Sequence, residues 1–162
     1  MKQTKTQMLV YSAFIAALYV ALTWLSNAVG MASGAIQVRL SEALCVLPYF
    51  TPAAIPGLTI GCLIANLTMA STPLDIVIGS LATLIGAFLT YKIRIKWLCP
   101  LPPIISNTIL IPFVIMVSYT NIISVEMYFT TALTVFIGEV ISVYVFGILL
   151  LLALEKTKLF KR

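Results

Sequence analysis

A chain of 162 residues that is 61% hydrophobic and 9% charged, with a mean hydropathy of +1.10, has too little polar surface to form a water-soluble domain. Each helical membrane span uses about 20 apolar residues, so six spans take about 120 and leave short connections with no room for a second, soluble domain. The net charge of +5 is an orientation signal rather than a nucleic-acid footprint, because the basic residues cluster between apolar blocks.

Taken in chain order, the apolar blocks run at about 8 to 27, 40 to 51, 54 to 70, 74 to 91, 101 to 119 and 127 to 154. Gly30 and Gly34 follow the first. Pro48, Pro52, Pro56 and Gly57 punctuate the second and third, then Ser71-Thr72-Pro73, then Cys99-Pro100-Leu101-Pro102-Pro103. Proline stops or kinks a helix there by removing a donor and crowding the previous turn. No internal repeat, heptad seam or low-complexity tract interrupts the pattern.

The second block is short for a span, and charge placement decides how to count it. Nine of the ten basic residues fall in three groups: Lys2 and Lys5; Lys92, Arg94 and Lys96; and Lys156, Lys158, Lys161 and Arg162. Lys and Arg near span ends mark the cytoplasmic side. With the first and second groups both inside, the stretch between them crosses an even number of times in all: the first span and three more. Two further spans return the C-terminus inside. The expectation is an all-α bundle of six transmembrane helices forming a single substrate-binding domain over 1–162. Both termini are cytoplasmic, and the 28–38 and 119–126 loops lie outside. The N-terminal run with Met31-Ala32-Ser33-Gly34-Ala35 imitates a secretory signal, but Met8 to Leu25 is long for one, and its removal would break the charge parity.

The missing residue types narrow the chemistry. There is no His, the commonest metal ligand and general base, so neither a metal site nor a catalytic set is expected. Cys45, Cys62 and Cys99 are unpaired in motif and read as small buried hydrophobes. With no phosphate-cradling glycine loop, the chain binds no nucleotide in the usual way, and ATP-driven work must come from a partner.

The five acids carry most of the remaining information, because a carboxylate in lipid is costly. Glu155, beside the C-terminal lysines, is interfacial. Glu126 follows Ser124 at the start of the last helix, where negative charge is favoured. Thr72-Pro73-Leu74-Asp75 reads as an N-cap, although Asp75 also stands at the outer mouth. Glu139 has neither a cap nor an interface to explain it: twelve uncharged residues precede it back to Met127 and fifteen follow. It reads as a pocket residue, against an interhelical hydrogen bond, with Tyr128 and Phe136 on nearly the same stripe. Arg39 and Glu42, three apart, fit either an ion pair or a cavity wall. Asn66 and Asn107 are amides within spans, and for Asn107 bonding between helices is the favoured role.

The run Val38-Arg39-Leu40-Ser41-Glu42-Ala43-Leu44, then Leu47 through Leu58 with Gly61-Cys62 and Ala65-Asn66, resembles the QueT family. The likeness continues through Asp75, Gly79-Ser80-Leu81-Ala82-Thr83 and Leu101-Pro102-Pro103 with Asn107. The resemblance implies a substrate-binding S component of an energy-coupling factor (ECF) importer for queuosine precursors in the bacterial cytoplasmic membrane. Such a chain carries no cofactor of its own. Its partners are a transmembrane coupling subunit and two cytoplasmic ATPase subunits. S components commonly offer an alanine-rich first helix to the coupling subunit, and Ala13, Ala17 and Ala21 have that form; the competing reading is packing inside the bundle.

The implied ligand, preQ1, is a deazaguanine with an aminomethyl cation. Its guanine edge suits a carboxylate, its cation a second acid and its ring an aromatic face. Glu139 could take the edge, Glu42 or Asp75 the cation, Asn66 a carbonyl or amino group, and Trp24, Tyr119 or Tyr128 the ring. The alternatives are an S component for another vitamin and a stand-alone ion-coupled carrier.

Overall fold

The computed structural model describes residues 4–32, 36–69, 71–120 and 124–157, and among them every regular element is helical. We number six helices: α1 (Lys5–Ala28), α2 (Leu40–Tyr49), α3 (Ala54–Thr68), α4 (Pro73–Lys92), α5 (Leu101–Ile115, running on through Met116–Thr120) and α6 (Val125–Thr157). A short turn, Lys96–Leu98, precedes α5. Four stretches are long and apolar enough to cross a membrane: α1, α4, Lys96–Ser118 with α5, and α6. The other two, α2 and α3, are apolar but shorter.

Local chemistry sets the boundaries. α1 opens on a capping box, in which Thr4 Oγ1 accepts from the Gln7 amide and the Gln7 side chain accepts from the Thr4 amide. It ends before Gly30, whose φ of 75° suits a residue without a Cβ. The Thr72-Pro73-Asp75 cap forms as expected, Thr72 Oγ1 accepting from the Asp75 amide at 3.4 Å. Ser124 likewise caps α6, with Glu126 in its first turn.

α2 is the unusual element. It is a 3-10 helix of ten residues, where runs beyond three or four are uncommon, and Ser41 through Pro48 are all buried. At roughly 2 Å per residue it is about 20 Å long, short of the roughly 30 Å hydrocarbon layer. It does not face lipid. α1, α3, α4 and α6 all pack against it, so irregular backbone at this depth is covered by protein. Around this axis the neighbours run α1, α3, α4, α5, α6.

Hydrogen bonds fix which ends lie together. Tyr49 Oη donates to the Arg94 carbonyl, and Lys96 pairs with Glu155 at 3.2 Å, so the end of α2, the α4–α5 connection and the end of α6 share one face. At the opposite face the Leu40 amide donates to Ser26 Oγ, and Trp24 Nε1 donates to Thr68 Oγ1, joining the end of α1 to the start of α2 and the end of α3.

The three cysteines are buried and form no disulfide among the described residues, as the sequence suggests. α6 is not a uniform α-helix. It widens to a π-helix over Val140–Phe146, immediately after Glu139, with no proline to force it.

Candidate functional site

A polar cavity of about 70 Å³ opens among α2, α3, α4, α5 and α6, in the half of the bundle away from the Lys96–Glu155 pair. Its wall is built by four-residue spacing, which puts side chains on one helical face: Cys62 and Asn66 on α3, Gly79 and Thr83 on α4, Asn107, Ile111 and Ile115 on α5, Val135 and Glu139 on α6. Gln37, Arg39 and Glu42 come from the start of α2 and the irregular segment before it. Five of the residues singled out in the sequence therefore meet here: Arg39, Glu42, Asn66, Asn107 and Glu139.

Glu139 is held from one side only. Asn107 Nδ2 donates to its Oε1 at 2.9 Å, while Oε2 is buried and has no partner among the described residues. The two readings of this acid thus coexist, since it makes the interhelical bond and still presents a bare oxygen. A charged group near the middle of a membrane helix costs about 3 kcal/mol, and one interhelical hydrogen bond in a membrane returns about 0.6 kcal/mol on average. Packing alone leaves that acid unexplained.

Glu42 is the opposite case. Its Oε1 accepts a short hydrogen bond from Tyr19 Oη of α1, and its Oε2 accepts from Cys45 Sγ at 3.1 Å. No ion pair joins it to Arg39 among the described residues, so the three-residue spacing does not produce the pair it allows. Arg39 starts a 3-10 helix instead, and its amide donates to Ser142 Oγ on the π-segment of α6 at 3.0 Å. The segment before it lies directly on Gly138: a Cβ there would sit 2.2 Å from the Gln37 carbonyl oxygen. Glycine at 138 is what lets this backbone strap cross α6 beside Glu139.

Asn66 Nδ2 donates to the Asp75 carbonyl at 3.4 Å and approaches Cys62 Sγ at 3.7 Å. Asp75 is buried by its cap and does not line the cavity, although its carboxylate reaches the wall at Gly79. Asn107, expected as a link between helices, is that link and a wall residue as well.

The aromatic candidates fare differently. Trp24 is exposed, its indole N–H bonded to Thr68, and Tyr128 donates to the Ile109 carbonyl at 3.0 Å; neither lines the cavity, nor does the exposed Phe136. Helical stripe arithmetic places Tyr128 beside Glu139 in projection, but at that level α6 turns this face to α5. The Tyr119 side chain lies outside the described residues. Gln37, Cys62, Gly79, Thr83 and Thr134 also line the cavity, although the sequence does not mark them as site residues. The spacing Asp75-Gly79-Thr83 and Cys62-Asn66 was a usable signal for three of them.

Ala13, Ala17 and Ala21 are exposed, and the buried face of α1 is Ser12, Ile15, Ala16, Tyr19, Thr23 and Ser26. The alanine stripe is not used to pack this bundle.

The sequence profile of the family described as QueT transporter matches residues 9–156. A protein of Lactococcus lactis subsp. cremoris (strain MG1363) named queuosine precursor transporter QueT is 40% identical over 85 residues, 52% of this chain and 50% of that protein. The aligned stretch thus spans about half the length of that relative. No solved structure matches significantly.

Proposed function

That the chain belongs to the QueT transporter family is the premise from which we propose that it captures a queuosine precursor, preQ1 or a related deazaguanine, as the S component of an ECF-type importer. The observation that carries the reading is Glu139, whose Oε2 is buried without a partner among the described residues, in the wall of a cavity that also has Glu42, an arginine and three amides. A guanine-type edge brings adjacent N–H donors, which a carboxylate accepts as a fork. Asn107 holds one oxygen of that fork in place, and Asn66 supplies a further amide. With two carboxylates against one guanidinium, the cavity favours a cationic ligand, and Glu42, fixed by Tyr19 and Cys45, faces it from α2.

At about 70 Å³ the cavity is tighter than the roughly 300 Å³ and more of a ligand pocket. Binding therefore widens it, and the strap carrying Gln37 and Arg39, held to α6 by one hydrogen bond and a glycine contact, is the wall that can give way.

We place both termini and the Lys92-to-Lys96 connection in the cytoplasm of the bacterial cell, with the cavity in the outer half of a six-helix transmembrane domain. The Lys96–Glu155 pair supports this reading, because it brings two of the basic groups to one face. A cysteine at position 126 should then label from outside intact cells and one at position 95 should not; the reverse pattern would move the cavity to the other side. Energy comes from a coupling subunit with two ATPases, docked on the outward alanines of α1.

The decisive test is binding of preQ1 to the purified chain. Glu139→Gln keeps the size but turns one acceptor into a donor, and affinity should fall about fivefold to 150-fold, the cost of about 1 to 3 kcal/mol for an unmet buried hydrogen bond. Unchanged affinity in a folded variant would return Glu139 to helix packing. Concentrative uptake by the chain alone in liposomes would replace the S-component reading with the stand-alone carrier.

A further inference from the structure

A second hollow lies on the outside of the bundle, between α4 and α5, with a volume of about 430 Å³. Ile85, Leu89 and Ile93 form one wall, and Leu101, Ile105 and Ile109 the other. Its one polar residue, Ser106, turns its hydroxyl back to the Pro102 and Pro103 carbonyls, so the groove offers nothing for a polar ligand to bond.

Its position and length narrow the occupant. From Leu101 to Leu110 the groove follows α5 for about 14 Å at 1.5 Å per residue, roughly half of the 30 Å hydrocarbon layer. That is the depth of one leaflet, whereas a docked helix would run the whole way across. Ile93 lines one end of the groove and stands between Lys92 and Arg94 in the chain. Both cations are exposed; Lys92 Nζ lies 4.4 Å over the Phe88 ring, and neither forms an ion pair among the described residues. Lys96, next along, is already paired to Glu155. The exposed rings of Tyr91 and Trp97 flank the same connection, the position aromatic residues take at the headgroup level.

We propose that this groove holds one anionic phospholipid, its phosphate on Lys92 and Arg94 and one acyl chain laid between α4 and α5. A basic mouth over an apolar slot of leaflet depth matches both ends of such a molecule, and the match is independent of what the polar cavity binds.

The test uses the purified full chain in detergent, with native mass spectrometry against phosphatidylglycerol and phosphatidylcholine of matched acyl chains. Phosphatidylglycerol should be retained preferentially, and Lys92→Gln and Arg94→Gln should each cost about fivefold in its retention. Ile105→Trp, at an exposed groove position, should reduce retention of phosphatidylglycerol with the basic residues intact. Equal retention of the two lipids, or indifference to Arg94→Gln or Ile105→Trp, would overturn the assignment. A photoreactive residue at position 105 should give a lipid adduct in native membranes; an adduct to a polypeptide would make the groove a protein interface instead.

Discussion

The two faces of α1 are built from different residues and are used differently. The inward face carries Ser12, Ala16, Tyr19, Thr23 and Ser26, nearly every one of them bonded or closely packed: Ser12 Oγ donates to the Ala53 carbonyl, Thr23 Oγ1 to Ser41 Oγ, and Tyr19 to Glu42. The outward face carries exposed Ala13, Ala17 and Ala21 among exposed Leu9, Phe14 and Leu25. One face is thus tied through α2 to the polar cavity, and the other is exposed. In our reading capture and coupling are divided between them, so substitutions on the two faces should separate affinity from uptake.

The largest separation is expected at Ala17. Replacing it with Leu adds bulk where a partner helix must approach closely, so uptake by the assembled transporter should be abolished. Affinity of the isolated chain for preQ1 should stay within about twofold, since Ala17 is exposed and is not part of the cavity wall. Lost affinity would show that the outward face is coupled to the site after all.

A smaller but opposite effect is expected when a small residue is enlarged inside. Gly138→Ala puts a methyl group 2.2 Å from the Gln37 carbonyl oxygen, a backbone atom that cannot rotate away. The strap must lift from α6, at a cost of about 1 to 3 kcal/mol as for other overpacked sites. preQ1 affinity should change about tenfold or more and the melting temperature should fall, whereas Ala17→Leu leaves both in place. A variant with wild-type melting and affinity would mean that the strap is not held as described.

The contrast between these two glycine and alanine sites also marks what the sequence could reveal. Caps were legible, because Thr72-Pro73-Asp75 and Ser124-Glu126 act within one turn and need no tertiary partner. The singularity of Glu139 was legible too, since a lone carboxylate in an apolar run is costly wherever the run goes. The form of α2 was not. An apolar block with Pro48 near its end fits a short span as well as a buried 3-10 helix, and only its enclosure by four neighbours distinguishes them. The π-segment after Glu139 left no mark either, because Val140 through Phe146 is an ordinary helical run. The position of Tyr128 was not legible, because one helix face meets different neighbours along its length and this ring bonds to the Ile109 carbonyl of α5. Cys45 and Cys62 were read correctly as buried but not as a donor to Glu42 and a cavity wall, which depends on which helices meet.

The finest test of the division lies on the inward face of α1 itself. Tyr19→Phe removes only the hydroxyl that donates to Glu42 Oε1, and the ring, 1% exposed, keeps its packing. Glu42 retains Cys45 on its other oxygen, so the carboxylate stays in place but loses one of the two bonds that orient it toward the cavity. A net hydrogen bond is worth about 1 kcal/mol, which predicts a loss of about fivefold in preQ1 affinity, below that for Glu139→Gln. The distinguishing measurement is uptake at saturating substrate. There the Tyr19 variant should recover nearly full transport, because filling the cavity is all it lacks, while Ala17→Leu should stay inactive at any concentration. If uptake by Tyr19→Phe remains low when the cavity is filled, the inward face of α1 also takes part in coupling, and the two faces do not divide the work.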